Sequence, residues 1–311
     1  MVTPADIQEA RARLAGYLRP TPLEPAPGLG ENIWLKLENA NRTHSFKVRG
    51  ALNALLSLSP EARARGIVTA SSGNHAQGVA YAAFLLGLPT RILMPAHTPA
   101  RKVNGVRRLG AQAVLFGSNY DETEAEGRRL ERDEGLTFVS PYNDERVIAG
   151  AGTVGLEILD DVPQLARVIV PASGCGLISG VGLAIKSGSR NAEVVGVNAR
   201  SAPALHNWLY NDQLPQVWDT LAEALSGEIE VGSVTFGLSK QVVDRCVLVG
   251  EDAIAEAMRW LLFQMGWVVE GGGAVGVAAL LSGALEHDDR PTVIVISGGN
   301  VDETTLRKVM A

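Results

Sequence analysis

Short, nearly all-apolar runs alternate with longer helical patterns along most of this chain. Runs such as Val168–Val170 and Val293–Ile296 carry no polar position, which is typical of strands buried on both faces in parallel sheets covered by helices. The alternation therefore predicts an α/β fold. Seven strands are predicted, at 33–37, 67–70, 91–94, 113–116, 168–170, 194–197 and 293–296. Helices are predicted from Thr3, with Pro4 and Asp6 as start signals, and near 46–57, 75–87, 99–109, 121–134, 145–160, 177–187, 252–265 and 274–286.

The segment from Gly66 to Asn143 contains a strand–helix series of its own. Its flanks, SPEARARG before it and PYNDER after it, are polar and rich in turn formers. The sequence therefore predicts a small domain at 66–143. We expect it to be inserted in a larger, discontinuous domain made of residues 1–65 and 144–311.

Composition excludes several classes of protein. The 311 residues are 46% hydrophobic with a net charge of −6, so a large core is expected and nucleic acid is not an expected partner. The first residues, MVTPADIQEARARL, lack the apolar stretch of a secretory signal, and two cysteines cannot form a disulfide framework. The most apolar windows, 78–96 and 267–285, are interrupted by charges, proline and glycines. We expect a cytoplasmic protein with no membrane partner.

The first candidate for chemistry is Lys47, in the run Thr43-His-Ser-Phe-Lys-Val-Arg-Gly50. This lysine follows a polar turn and opens a helix, where the helix dipole and partial burial would favour the neutral amine. A neutral amine can attack an aldehyde and form a Schiff base. The alternative, on this octapeptide alone, is a solvated lysine on a helix surface.

The second candidate is the run from Ser71 to His75, SSGNH, between a strand and an Ala-rich helix. Small and polar residues at a helix entry leave several main-chain N–H groups pointing outward, which suits a carboxylate. The alternative is an ordinary helix start with Asn74 as the N-cap.

The third candidate is the loop Ser173-Gly-Cys-Gly-Leu177, again between a strand and a helix. Its amides, with almost no side-chain bulk, can bind a phosphate. A dinucleotide site would need an acid at the end of the next strand, where Asn198 stands, and the glycine spacing is GxGxxxG. The loop also lacks the GK[ST] of a nucleoside-triphosphate site, so a monophosphate fits better.

Three other features carry weaker signals. Ser297, in Ser-Gly-Gly-Asn after a buried strand, can project its hydroxyl into a cleft or simply form a turn. The glycine run after Glu270 is interpreted as close packing. Cys175 is interpreted as a small filler in place of glycine, although a helix N-terminus could lower its pKa. The five histidines and two cysteines have no metal-binding spacing, so no metal site is expected.

Taken together in chain order, these motifs resemble the pyridoxal-phosphate (PLP) enzymes of the serine/threonine dehydratase and serine racemase family, which have the tryptophan-synthase-β-like fold. The matching stretches are LKLENANRTHSFKVRGAL, SSGNHAQGVAYAA, VIAGAGTVGLEI, GCGLISG, VEGGGAVGVAAL and SGGNVD, between residues 35 and 302. The resemblance implies two intertwined open parallel-sheet domains with helices on both faces and PLP in the cleft between them. It also implies a homodimer.

The resemblance assigns a role to each candidate. Lys47 would join the PLP aldehyde, Phe46 would pack on the ring, and Asn74 would bond the ring hydroxyl. The main chain of 173–177 would hold the phosphate and Ser297 would meet the pyridine nitrogen. The cofactor-binding residues are thus Phe46, Lys47, Asn74, Ser173, Gly174, Cys175, Gly176, Leu177, Ser297 and, on a looser alignment, Gly232. The substrate carboxylate would bind Ser71, Ser72, Gly73, Asn74 and His75.

The activity implied is removal of the β-hydroxyl and amino groups from an amino acid such as L-threonine or L-serine, giving a 2-oxo acid and ammonia. A neutral hydroxyl at Ser297 makes the ring a moderate electron sink, which favours elimination over transamination. Two alternatives stay open. Lys47 and Ser72 on opposite ring faces could support a racemase, and a catalytically idle PLP-fold binding protein would keep the fold alone.

The chain departs from the family pattern at several positions. Its phosphate loop reads Ser-Gly-Cys-Gly where four glycines are usual, and His44 replaces the common glycine before Ser-Phe-Lys. Asn198 and Ala204 stand where members with a divalent cation carry acids, so no such cation is expected. The chain ends nine residues after SGGNVD, so no regulatory domain is expected.

Overall fold

The computed structural model describes residues 1–311 and confirms the α/β class. Ten strands are formed: β1 (Leu23–Pro25), β2 (Ile33–Leu37), β3 (Ile67–Ala70), β4 (Thr90–Met94), β5 (Gln112–Leu115), β6 (Thr137–Phe138), β7 (Arg167–Pro171), β8 (Glu193–Ala199), β9 (Arg245–Val249) and β10 (Thr292–Ile296). Thirteen α-helices are formed: α1 (Pro4–Leu14), α2 (Lys47–Leu56), α3 (Pro60–Arg65), α4 (Asn74–Leu86), α5 (Ala100–Arg108), α6 (Tyr120–Glu134), α7 (Glu145–Asp161), α8 (Gly176–Gly188), α9 (Ala204–Tyr210), α10 (Val234–Val242), α11 (Glu251–Met265), α12 (Gly271–Leu281) and α13 (Glu303–Met310).

The strands form two sheets. The four-stranded sheet has the order β5-β4-β3-β6 and is parallel throughout. The six-stranded sheet has the order β1-β2-β10-β7-β8-β9, and only its edge strand β1 runs antiparallel to its neighbour. An edge position tolerates Pro25 in β1, because a proline there removes no ladder bond needed by a second neighbour. The large sheet is therefore mixed rather than purely parallel.

Helices pack closely on the large sheet because glycines remove side-chain bulk where they meet it or each other. Every residue of β7 and β10 is buried. A Cβ added to Gly276 of α12 would lie 2.5 Å from Ile294 Cγ2 of β10. A Cβ on Gly152 of α7 would lie 2.9 Å from the Gly180 carbonyl of α8. This packing holds the starts of α8 and α12 at fixed depths relative to the strands.

All seven predicted strands form, and the predicted start of α1 is confirmed by a capping box between Thr3 and Asp6. The prediction for the last glycine-rich helix was shifted, because α12 begins at Gly271 and ends at Leu281. Seven elements were not predicted: β1, β6, β9, α3, α9, α10 and α13. Most are short or partly exposed, so their apolar positions are too few to set a period.

The strands of the small sheet all lie between Ile67 and Phe138, and the remaining strands form the large sheet. The domain boundaries at 65/66 and 143/144 stay a prediction. None of the helices combines the length and the apolar character needed to cross a lipid bilayer.

Candidate active site

Three loops converge where strands of the two sheets end. Ser71 follows β3, the 173–177 loop follows β7, and Ser297 follows β10. The carboxyl ends of parallel strands, next to helix N-termini, are the usual place for a ligand in an open α/β fold. The candidate residues therefore lie at the carboxyl ends of strands, next to the N-termini of α4 and α8.

Lys47 is the first residue of α2, and its helix start is tied to the end of β10. The main-chain N–H of Phe46 donates to the Ser297 carbonyl at 3.0 Å. The Lys47 Nζ donates to the Pro141 carbonyl at 2.8 Å and lies 5.0 Å from the centre of the Phe46 ring. Burial lowers the pKa of Lys47 to about 8, although the nearby Glu270 carboxylate opposes the shift. Much of its amine is therefore neutral in mildly alkaline solution.

A buried ion cluster holds α2 in place two residues after Lys47. The Arg49 guanidinium donates to both oxygens of Glu38, at 2.7 and 2.8 Å, and to Glu157 at 2.6 and 2.9 Å. Lys36 pairs with Glu157 at 2.9 Å. Because the four charges sum to zero and are hydrogen-bonded, their burial joins β2, α2 and α7 without an unpaired charge. This cluster fixes the helix that carries the reactive amine.

The loop after β7 presents a row of unpaired donors. The main-chain N–H groups from Ser173 to Ile178 donate to no carbonyl or side chain, and α8 starts without a side-chain cap. Six consecutive donors at a helix N-terminus form an anion-binding cradle. The Tyr142 ring covers the loop, so a Cβ on Gly174 would lie 2.5 Å from Tyr142 Cγ. Lack of side-chain bulk is thus required here.

Cys175 is the N-cap of α8, with φ of 65° and only 3% of its surface exposed. Its thiol donates to the Ser173 carbonyl at 3.1 Å. Burial raises the pKa of the Cys175 thiol well above its usual range, despite the helix N-terminus. The residue therefore acts as a small buried filler in the loop, as the sequence indicated, and not as a thiolate.

The run from Ser71 to His75 also starts a helix with free donors. Gly73 is the N-cap of α4 and no side chain caps it, so Asn74 is not the N-cap considered above. The N–H groups of Asn74, His75 and Ala76 have no partner in the chain. His75 is buried, and its Nε2 lies 3.0 Å from the Val139 carbonyl, which can only accept. Burial lowers the pKa of His75 to about 3, so the ring stays neutral with its proton on Nε2.

Glu270 is a buried acid in contact with a candidate residue, and the sequence interpretation did not single it out. It is the N-cap of α12, but its side chain makes no capping hydrogen bond and instead accepts from Asn74 Nδ2 at 2.6 Å. Only 9% of Glu270 is exposed, and burial raises its pKa to about 7. The signal in the sequence that could have identified Glu270 was an acid directly before a glycine run. A tightly packed helix start holds the residue before it in a fixed place.

The remaining predicted residues are placed as follows. Ser297 is 6% exposed and lies at the end of β10, with Ser45 bridged to Gly298 beside it. The Ser72 hydroxyl is half-buried and makes no hydrogen bond in the chain. Gly232 lies in an exposed turn with φ of 81° and has no heavy atom within 4 Å of an added Cβ. That turn is tied to the site only through its neighbours, because Glu230 N–H donates to the Tyr142 hydroxyl at 3.1 Å.

Asn198 and Ala204 lie at the end of β8 and the start of α9. Both polar atoms of the Asn198 amide have a partner: its Nδ2 donates to the Ala172 carbonyl at 2.8 Å, and its Oδ1 accepts from His206 N–H at 2.9 Å. Ala172 directly precedes the phosphate-loop residues. The neutral amide of Asn198 therefore holds the residue that precedes the 173–177 loop.

These features fit a cofactor that carries one aldehyde and one phosphate. The amine of Lys47 supplies the partner for an aldehyde, and the unpaired N–H groups of 173–178 supply the partners for a phosphate dianion. Phe46 offers an aromatic face beside the amine. The N–H groups of 74–76 offer a second, smaller anion site for a carboxylate.

Comparison with known proteins gives a consistent result. The family profile described as "Pyridoxal-phosphate dependent enzyme" matches residues 14–298. The chain is 43% identical to an L-threonine ammonia-lyase of Thermotoga maritima, over all of this chain and 78% of that protein. It is 40% identical to a catabolic L-threonine dehydratase of Staphylococcus aureus, over all of this chain and 92% of that protein. Among solved structures, maize serine racemase superposes with a TM-score of 0.92 at 33% identity, covering 99% of this chain and 97% of that one.

Proposed function

Because this chain belongs to the family of pyridoxal-phosphate dependent enzymes, we propose that it is an ammonia-lyase that converts L-threonine or L-serine to a 2-oxo acid and ammonia. The observation that carries the proposal is the lowered-pKa amine of Lys47, set between two groups of unpaired main-chain N–H donors. One group matches a phosphate and the other a substrate carboxylate. Full-length similarity to L-threonine ammonia-lyases supports the choice of reaction.

Different residues bind the substrate, accept its α-proton and hold the site in place. When bound, PLP supplies an electron-accepting ring that stabilises negative charge at the substrate α-carbon. The N–H groups of Asn74 to Ala76 bind and orient the substrate carboxylate. The Lys47 amine, neutral above about pH 8, accepts the α-proton at Nζ. His75 stays neutral and keeps its proton on Nε2, so it helps to hold the N–H groups of 74–76 in place and transfers no proton.

Two further features of the site, the Ser297 side chain and the main chain of 173–177, concern the ring nitrogen and the phosphate of the cofactor. The Ser297 side chain is neutral, so it cannot hold a pyridinium nitrogen as a carboxylate would, and this limits how long negative charge persists at the α-carbon. The main chain of 173–177 grips the phosphate without any charged side chain. The neutral Ser297 favours departure of the β-hydroxyl over reactions that need a long-lived negative charge at the α-carbon.

The test is a product assay combined with a covalent label. Purified protein with bound PLP is incubated with L-threonine and L-serine, and ammonia and 2-oxo acid are measured. Borohydride reduction followed by peptide mapping is expected to place the cofactor on Lys47. A label on another lysine, or no ammonia from either amino acid, would overturn the proposal.

Racemisation is the second candidate, because the Ser72 hydroxyl has no partner in the chain and is free to act as an acid opposite Lys47. The similarity to maize serine racemase also supports it. The same incubation, analysed for the D-enantiomer, separates the two activities. Racemisation without release of ammonia would replace the lyase proposal.

The proposal extends to assembly and location. The homodimer is what the family resemblance implies, whereas the domain division 1–65 and 144–311 against 66–143 comes from the sequence pattern. The cytoplasmic location comes from the first residues and the cysteine count, and both cysteines are free and buried, which suits a reducing compartment. Limited proteolysis tests the boundaries and sedimentation tests the dimer. Cell fractionation tests the location.

A further inference from the structure

Asn74 and Asn300 form a hydrogen-bonded chain whose direction is fixed at one end by Thr43. Asn300 Nδ2 donates to the Thr43 carbonyl at 2.8 Å and to Asn74 Oδ1 at 2.7 Å. A carbonyl oxygen can only accept, so the amino side of Asn300 must face Thr43 and Asn74. Asn74 must therefore turn its oxygen toward Asn300.

Glu270 fixes the other end of the same chain. Asn74 Nδ2 donates to Glu270 Oε1 at 2.6 Å, and an ionised carboxylate can only accept. Gly298 leaves the space for this contact, because a Cβ there would overlap Glu270 Oε1. When Glu270 is ionised, the orientation of the Asn74 amide is thus determined from both sides, by the Thr43 carbonyl acting through Asn300 and by the Glu270 carboxylate.

The two amide groups have four Nδ2 hydrogens, and one of them has no hydrogen-bond partner. Both Nδ2 hydrogens of Asn300 are used, whereas Asn74 Nδ2 uses one hydrogen on Glu270 and keeps the other. That hydrogen belongs to the residue expected to bond the ring hydroxyl of the cofactor. Among the side-chain hydrogens of Asn74 and Asn300, it is the only one left free to meet a ligand.

We propose that Glu270 is a positioning residue that fixes the Asn74 amide, so that its free Nδ2 hydrogen is presented to the ring-hydroxyl oxygen of the bound cofactor. This inference rests on the proposed function. A carboxylate also strengthens the Asn74 donor, because hydrogen bonds to an ionised partner polarise the group that donates. The charged groups around Glu270 are Lys47 on α2, Lys102 on α5 and Glu223 in the turn before α10.

A purely structural role is the competing explanation. Asn74 belongs to the helix after β3 of the small sheet, whereas Glu270 and Asn300 flank strands of the large sheet. The contact could therefore serve only to hold the two sheets together. The two roles differ in what they change: a structural role alters the stability of the apoprotein, and a positioning role alters the affinity for PLP through Asn74.

The experiment is a double-mutant cycle on PLP binding to the apoprotein, measured by absorbance titration. We expect Glu270→Leu to weaken PLP binding about tenfold, as loss of one charge-assisted hydrogen bond predicts. In an Asn74→Leu background the same change should have no further effect, because its route of action is already gone. Glu223→Gln, which removes a nearby acid that does not contact Asn74, is the matched control and should bind PLP normally.

Glu270→Gln keeps the size of the side chain and one acceptor oxygen. It replaces Glu270→Leu in the double-mutant cycle if that variant does not fold, and we expect it to weaken PLP binding about threefold. It should also shift the pH at which the absorbance of the bound cofactor changes. Equal losses with and without Asn74, or unchanged PLP affinity in both Glu270 variants, would overturn the inference. Wild-type protein that holds no borohydride-reducible cofactor on Lys47 would instead overturn the proposed function itself.

Discussion

The two ends of the candidate cofactor site are built on different physical principles. At the phosphate end, the donors are main-chain N–H groups of 173–178, and no charged side chain takes part. At the amine end, Lys47 is half-buried and His75 and Glu270 are buried, and the pKa values of all three are shifted mainly by loss of solvation. The first end depends on the shape of the backbone and the second on the balance of charge.

This difference follows from what each end has to bind. A phosphate dianion is satisfied by many weak donors aimed at one point, which a helix start with glycines supplies without a side chain. An amine nucleophile must lose its proton, and burial achieves this at the cost of an unfavourable environment for charge. We therefore expect the phosphate end to respond to added volume and the amine end to respond to pH.

The largest effect is expected from Lys47→Ala. It removes the amine that accepts the α-proton and joins the cofactor, so ammonia release from L-threonine should fall by about a thousandfold or more. The phosphate end is left intact, so the variant should still bind PLP, but reversibly. Equilibrium dialysis with PLP, next to the ammonia assay, measures both.

A Lys47→Ala variant that binds no PLP at all would contradict the comparison, since it would mean that the cradle at 173–178 contributes little by itself. Pyridoxal without its phosphate is the matching control ligand. It should bind the variant much more weakly than PLP.

The next effect concerns the pH dependence of apoprotein stability. The pKa of Glu270 is raised from its ordinary 4.5 to about 7, so the folded state holds this proton more tightly than the unfolded state. Stability from this group is complete below pH 4.5 and is lost as the pH rises through about 7, by up to about 3 kcal/mol. Glu270→Gln should remove that loss, as urea unfolding at several pH values would show.

His75 must be separated from this effect. Its lowered pKa gives the opposite slope, with stability rising from about pH 3 to 6.5. The quantity to compare is therefore the difference between wild type and Glu270→Gln at each pH. A difference that does not change between pH 4.5 and 7 would show that Glu270 titrates normally.

The sequence was informative about one end and incomplete about the other. The phosphate loop is local: a strand, small residues and a helix start are contiguous, so their role can be predicted from the spacing of Ser173 to Leu177. The amine end depends on a contact between Asn74 and Glu270, 196 residues apart in the chain. A glycine run after an acid predicts close packing, but it does not show which way the acid points.

The fold shows the same division. Buried strands such as β7 and β10 were predicted because an uninterrupted apolar run is a local signal. The edge strand β1 and the short β6 were missed, because three and two residues do not form a pattern. The Arg49 cluster was also missed, since it joins Glu38 and Glu157 from separate elements.

A moderate effect is expected from Gly174→Ala at the phosphate end. The added Cβ would lie 2.5 to 2.9 Å from three atoms of the Tyr142 ring, so the loop or the ring must shift, at a cost of about 1 to 3 kcal/mol. PLP affinity should fall accordingly. Gly73→Ala is the matched control, because an added Cβ there has no heavy atom within 4 Å.

Gly73→Ala should leave stability and PLP binding unchanged and raise only the KM for the amino acid, because Gly73 belongs to the proposed binding site of the substrate carboxylate. Calorimetry and a substrate titration measure the two outcomes. Similar losses of stability in both variants would show that backbone conformation, and not the Tyr142 ring, limits these positions.

The smallest effect compares two residues other than glycine that have a positive φ, one at each end. His44, with φ of 54°, is exposed near Lys47, and Cys175, with φ of 65°, is buried in the phosphate loop. Glycine relieves about 1 to 2 kcal/mol of backbone strain but adds about 0.4 to 1 kcal/mol of unfolded-state entropy. His44→Gly should thus raise the free energy of unfolding of the apoprotein by about 0 to 1.6 kcal/mol.

Cys175→Gly gains the same relief and loses a buried side chain worth about 1 kcal/mol, so it should be neutral or slightly destabilising. Urea unfolding of both apoproteins measures the pair. If Cys175→Gly proved the more stabilising of the two, the packing of the thiol would contribute nothing to the loop. Binding at the phosphate end would then depend on backbone conformation alone, in full contrast to the amine end, which depends on charged side chains.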